Sequence, residues 1–293
     1  MMINRFLDYL RYERNASPLT VQTYEESLRD FESYVTFRDK ELSLSSVDTD
    51  LIRDWMESLM DKGNSASTIN KKLSALRSFY RFALKRQLVK ADPAHAVTGP
   101  KKSKPLPQFL REGEMERLLD GIEWDDSFNN VRARTILLLF YEAGLRRSEL
   151  VSLNDADLDY EAAQLKVTGK RNKQRIVPFG AELAEALKHY QVVRTEMFGK
   201  TNGALFLGDK GERITVAQVY KLVNHYLSLV TSLKKRSPHV LRHTFATAML
   251  NNGAGLESIK NLLGHASVST TEIYTHTTFE QLKRIYKEAH PRA

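Results

Sequence analysis

The sequence predicts a mainly α-helical protein of two domains, the second carrying a small three-stranded β-sheet. Three observations predict it. Apolar residues recur at three- and four-residue spacing through most of the 293-residue chain. A proline- and lysine-rich break falls at 92–110. Only near 162–179 does the helical spacing give way to short β-prone runs.

The elements follow in order. Ser17 and Pro18 open a helix as N-cap and first helical residue, with Val21, Tyr24, Leu28, Phe31 and Val35 on one face. A second helix spans about 48–60, and Gly63 breaks the chain. Ser67 is expected to cap a third, whose Ile69, Leu73, Leu76, Tyr80 and Ala83 face a core. "DPAHAVTGPKKSKPLPQFL", with four prolines and three lysines, reads as an extended linker with the domain boundary near 105. The expected division is 1–90 as the N-terminal helical domain, 91–110 as linker, and 111–293 as the second domain with a C-terminal tail helix. Helices are expected at 111–120, 131–143, 181–197, 215–230, 239–251, 256–262 and 279–289. The second of these is apolar nearly all round and therefore buried. "QLKVT" and "QRIVP" flank the turn-rich "GKRN" as a β-hairpin with a basic tip, and "ALFL" (204–207) is the candidate third strand.

Composition narrows the function. Hydrophobic residues are 42% of the chain, enough for a real core. The absence of cysteine excludes disulfides and thiolate metal sites and suits a reducing cytoplasm. The charged N-terminus is unlike a signal peptide, and no apolar run approaches the ~18 residues of a membrane span. Net charge is +8 and unevenly spread. Eight Lys or Arg and no acid fall between Lys62 and Lys90, and five more between 162 and 178, whereas 112–126 holds seven Asp or Glu. Such segregation fits faces that meet phosphates. Lys71, Lys72, Arg77, Arg81, Lys85 and Arg86, with Lys173 and Arg175 of the hairpin, are therefore the candidate DNA contacts. An ordinary solvated helix surface is the alternative.

A second set of residues carries chemistry. Arg146 follows the helix-breaking Gly144, Lys170 stands at the hairpin tip, and His239 and Arg242 lie one helical turn apart. His265 and Tyr274 follow. Each alone has a structural explanation; together they form a cationic set with a tyrosine and no carboxylate pair. The stretches "GLRRSEL", "GKRNKQRIVP", "PHVLRHTFAT" and "LLGHASVSTTEIYTH" resemble, in order, the four signature segments of the tyrosine recombinases. The linker and length resemble the Xer branch, cellular recombinases that resolve chromosome dimers. Arg147 departs from that branch, as do Ala248 and Gly255.

The resemblance implies an N-terminal SAM-like core-binding domain and a catalytic domain, closing as a clamp on double-stranded DNA. It implies strand cleavage and rejoining through a 3′-phosphotyrosyl intermediate and a Holliday junction. The catalytic set it implies is Arg146, Lys170, His239, Arg242, His265 and the nucleophile Tyr274. No cofactor and no metal are expected. The implied partners are a homo- or hetero-tetramer on DNA, a second Xer recombinase and a septal DNA translocase, with no membrane. In the family the tail docks on a neighbouring protomer; here Phe279, Leu282, Ile285 and Tyr286 supply its apolar stripe, with packing on its own domain as the alternative. A mobile-element integrase of the same chemistry, a DNA-binding relative without catalysis and a metal-dependent nuclease remain as rivals.

The physical reasoning stands beside this. Attack on a phosphodiester builds negative charge on its nonbridging oxygens, which two guanidiniums can clamp. A tyrosine hydroxyl, of ordinary pKa about 10, becomes a better nucleophile among cations and beside a base. The poor 5′-oxygen leaving group needs a proton, for which Lys170 is the candidate donor.

Overall fold

In the computed structural model, residues 2–102, 107–169, 172–200, 202–264 and 279–293 are described, and for 279 and 280 the backbone alone. They form two compact units, Met1–Pro105 and Leu106–Ala293. Among the described residues, no helix is long and apolar enough to cross a membrane.

The first unit packs α1 (Met2–Asp8), a π-helical turn (Tyr9–Glu13), α2 (Pro18–Arg38), α3 (Thr49–Asp61) and α4 (Ala66–Lys85) around one core. Ser17 Oγ caps α2 by accepting from the Thr20 amide at 3.2 Å. The α4 cap is Ser65, not Ser67: its Oγ accepts from the Thr68 amide at 3.2 Å, starting the helix at Ala66. Helix α1 was not expected, although Ile3, Phe6, Leu7 and Leu10 are buried at helical spacing. Within the stretch read as linker, Ala94 and Val97 are buried in this core. Arg77 holds them there by donating to the carbonyls of Ala94 (3.4 Å) and Val97 (2.5 Å).

The second unit is centred on α6 (Phe128–Ala143), from which Ile136 to Phe140 are wholly buried. Around it lie α5 (Glu112–Leu119), α7 (Arg147–Ser152), α8 (Ala181–Phe198), α9 (Val216–Val230), α10 (Pro238–Asn251) and α11 (Leu256–Leu263). The sheet is antiparallel, in the order β1 (Leu158–Asp159), β2 (Gln164–Thr168), β3 (Gln174–Pro178). Leu165 pairs with Val177, both buried, while the next pair along, Lys166 and Ile176, faces outward. The third strand is thus Leu158–Asp159 rather than 204–207. Residues 204–207 are fully buried, and only the isolated bridges Asn154–Ala204 and Leu207–Arg213 form there.

The tail helix α12 (Phe279–Ala289) packs on its own unit, one of the two placements its apolar stripe allows, with Leu282, Ile285 and Tyr286 against Phe245, Met249 and their neighbours. Tyr286 is 1% exposed, stacks on His290 and donates to Glu142 Oε2 at 3.1 Å. The Gly180 amide donates to the same oxygen at 2.9 Å. Burial pushes the Glu142 carboxyl up to about 7, only partly offset by these hydrogen bonds. Burial pushes His290 down to about 4.

These two groups oppose each other in their pH dependence. Glu142 holds its proton more tightly in the folded chain, so its contribution is lost as pH rises from about 4.5 to about 7. His290 holds its proton less tightly, so its contribution is lost as pH falls from 6.5 to about 4. In Glu142→Gln only the histidine remains, and thermal stability is expected to rise with pH between about 4 and 6.5. In His290→Gln stability should fall between about 4.5 and 7. Melting temperatures across this range, each variant against wild type, check both slopes.

Candidate active site

The segment "GLRRSEL" builds the site. Gly144 ends α6 in the left-handed region, at φ 56°. A Cβ there would lie 2.6 Å from Phe245 Cδ1 and 2.9 Å from Leu263 Cδ2, so dihedral and space both demand glycine. The turn aims the Gly144 carbonyl at Arg242, whose Nη1 donates to it at 2.5 Å. Nη2 of the same guanidinium donates to the Leu263 carbonyl at 2.7 Å. Arg242 therefore bridges the C-terminal ends of α6 and α11, where the helix dipoles favour a cation. Gly264, also left-handed at φ 61°, caps α11. Arg146 Nη2 donates to its carbonyl at 3.0 Å, and Arg175 Nε donates to the Leu262 carbonyl at 2.9 Å.

Glu149 joins these cations. Arg175 binds it through both terminal nitrogens, at 3.0 and 2.9 Å. Arg146 Nη1 donates to Oε1 at 2.7 Å and its backbone amide to Oε2 at 2.8 Å. Arg242 Nη1 stands 4.0 Å from Oε2. The Glu149 side chain is 2% exposed. Burial alone would raise its pKa; the hydrogen bonds and charge of Arg175, then the hydrogen bonds of Arg146, reverse this and hold it at about 2. Burial, then the neighbouring Arg146, lower the Arg242 guanidinium to about 10, still protonated at neutral pH. Three guanidiniums against one carboxylate leave two uncompensated positive charges.

His239 lies in the first turn of α10, exposed, on the helix that carries Arg242. Partial desolvation, then the charges of Arg147, His243, Arg242 and Arg146, push its pKa below 6.5. At neutral pH it is an uncharged imidazole able to accept a proton.

The fold thus brings Arg146 and Arg242 together, with His239 within range of their charge. Lys170, His265 and Tyr274 lie outside the described residues. The expected DNA contacts divide. Lys71, Arg81 and Lys85 are exposed and form no ion pair among the described residues. Lys173 is also exposed. Lys72 is paired with Asp30 and lies 5.7 Å from the Trp55 ring, and Arg86 pairs with Glu13 at 2.5 Å. Those acids come from elsewhere in the sequence, so the acid-free run on α4 overstates its free charge. Arg77 is spent on the backbone of 94–97. Arg175, its side chain 8% exposed, serves Glu149 and α11 rather than a solvent-facing surface.

Sequence reasoning passed over Glu149. The signal was present: a glutamate three residues after Arg146 has capping-box spacing, which brings its carboxylate back to the Arg146 amide. Glu149→Ala would leave Arg175 and Arg242 buried without their counter-charge, at a cost of roughly 3–5 kcal/mol. A lowered urea midpoint would read this out, with Glu149→Gln falling between Ala and wild type.

Comparison with known proteins accords with this geometry. Residues 108–281 match the phage integrase family, and residues 3–87 match the phage integrase N-terminal SAM-like domain. A tyrosine recombinase XerC from Pelotomaculum thermopropionicum is 38% identical, covering 99% of this chain and 98% of that one. A tyrosine recombinase XerD from Oceanobacillus iheyensis is 37% identical over 99% of this chain and 98% of its own. The crystal structure of XerH site-specific recombinase bound to palindromic difH substrate, in a post-cleavage complex, has a TM-score of 0.73 and 26% identity. It covers 96% of this chain and 83% of that one. With family models matched over both units and relatives matched along its full length, the chain belongs to the phage integrase family, among the Xer tyrosine recombinases.

Proposed function

We propose that this chain breaks and rejoins strands of double-stranded DNA, using Tyr274 as nucleophile. The observation that carries the reading is the cluster of three guanidiniums around one buried carboxylate, with two positive charges to spare. A phosphodiester brings one negative charge and gains more as its phosphorus is attacked, so the cluster suits the transition state better than the ground state. Arg146 and Arg242 each spend two terminal-nitrogen hydrogens on the protein and keep the rest for the phosphate.

In the forward step Tyr274 Oη gives its proton to the neutral His239 imidazole and bonds to phosphorus. The bond from phosphorus to the 5′-oxygen breaks, and Lys170 supplies the proton that oxygen needs. His265 holds the phosphate or orients the tyrosine segment. The 3′-phosphotyrosyl ester is close in energy to the phosphodiester it replaces, so ATP is not needed. The 5′-hydroxyl of a second strand can reverse the step, generating a Holliday junction. The arginines supply the electrostatic stabilisation that a metal provides in other phosphoryl-transfer sites.

Lys71, Arg81, Lys85 and Lys173 are the DNA-backbone contacts in this reading. The similarity to XerC and XerD along the whole chain supports a role in chromosome-dimer resolution in the cytoplasm. The enzyme would act there as a tetramer on DNA, alone or with a second recombinase, under a septal translocase.

Tyr274→Phe should bind duplex DNA as wild type does and form no covalent adduct with a nicked suicide duplex. The duplex would be chosen by selecting bound sequences from a randomised pool. Adduct formation by wild type should be undiminished in EDTA. Mass spectrometry placing the phosphodiester on another side chain would overturn the assignment. The acid limb of the cleavage rate should fall below pH 6.5, because His239 must lose its proton to act as base and its pKa is depressed.

A further inference from the structure

Four arginines of the second unit gather near this site, and one of them differs from the rest. Arg146, Arg175 and Arg242 are all tied to Glu149 or to helix-end carbonyls. Arg147, the first residue of α7, makes no hydrogen bond and no ion pair among the described residues. Its guanidinium instead lies over the Tyr220 ring of α9, 5.6 Å from the centroid. Tyr220 is itself 42% exposed. Arg147 is half-buried, and its charge is the foremost of those that depress His239, which puts it on the His239 side of the site.

A half-buried cation beside other cations, with no acid to balance it, is costly unless a ligand supplies the negative charge. The aromatic face restrains the guanidinium without consuming any of its five N–H donors. A planar, pre-oriented fork with every donor unspent is suited to bidentate recognition of a phosphate. Solvation of an exposed surface arginine would explain a freely rotating side chain, but not one laid on a tyrosine next to the site.

We infer that Arg147, held on Tyr220, is a further phosphate-binding residue that takes a DNA backbone phosphate on the His239 side of the catalytic arginines. This rests on the DNA-cleaving function proposed above. The pair extends the site from one phosphate to two. Because the contact is to the backbone, it adds affinity without reading sequence.

The test uses the full chain and a fluorescein-labelled duplex selected by the protein from a randomised pool, with affinity measured across a salt series. Arg147→Gln and Arg147→Val are expected to bind more weakly and to flatten the log–log salt dependence by about 0.9, the loss of one phosphate contact. Arg147→Lys should retain most of the slope but not all of the affinity, since it keeps charge and loses the fork. Tyr220→Leu should weaken binding with the slope kept, because the cation remains and only its orientation is lost. Melting temperatures within a degree or two of wild type identify folded variants. If both uncharged variants keep the wild-type slope, the inference is overturned. If wild type itself fails to bind duplex DNA, or binds but never forms an adduct through Tyr274, the proposed function fails instead, and the two failures are distinct.

Discussion

The second unit is organised around one buried carboxylate. Glu149 cannot remain ionised in a site 2% exposed unless cations surround it, and those cations cannot be crowded together unless it is ionised. Each condition satisfies the other. The bidentate pair with Arg175 and the two contacts from Arg146 hold the carboxyl at about 2, so its charge is fixed throughout the neutral range. The cost of burying it is met once, within the protein, and the surplus positive charge is left facing whatever anion enters.

The same pairing ties together elements that are distant in sequence. Glu149 belongs to α7, Arg175 to β3 and Arg242 to α10, and the carbonyls that complete their hydrogen bonding end α6 and α11. Helix C-termini are useful here because they offer unpaired carbonyls in a field that favours cations. Left-handed glycines at 144 and 264 end those helices abruptly enough for the carbonyls to turn inward. Geometry of this kind pre-orients the arginines before substrate arrives, so little reorganisation remains for the reaction step.

Much of this was legible in the sequence, and the rest failed for identifiable reasons. The helical periods, the hairpin and Ser17 as a cap follow from spacing and turn chemistry, which are local, whereas the pairing of Arg146 with Arg242, distant in sequence, is what the family resemblance implies. Residues 204–207 look like a strand because they are apolar and β-prone; they are buried for packing, and their backbone finds only single bridges. Arg175 and Lys72 read as free cations because their partners, Glu149 and Asp30, are 26 and 42 residues away. Charge runs report composition, whereas free charge depends on what the fold brings opposite. Glu149 was overlooked for the converse reason: an acid among arginines looks like neutralisation when it is the means of their assembly.

The placement of the tail ties it to the arginine cluster. Tyr274 falls between two anchored points of the chain, Gly264, whose carbonyl binds Arg146, and α12, which begins at Phe279. The second anchor is Tyr286 against Glu142, and Glu142 lies in the last turn of α6, two residues before the glycine whose carbonyl fixes Arg242. One helical turn therefore secures both the tail and Arg242. Removing α12 would strip Glu142 of the Tyr286 hydroxyl and expose a group whose proton is held mainly by burial. The consequence would fall on the α6 terminus that orients Arg242, so the anchoring of the tail and the order of the arginine cluster are set by the same few residues.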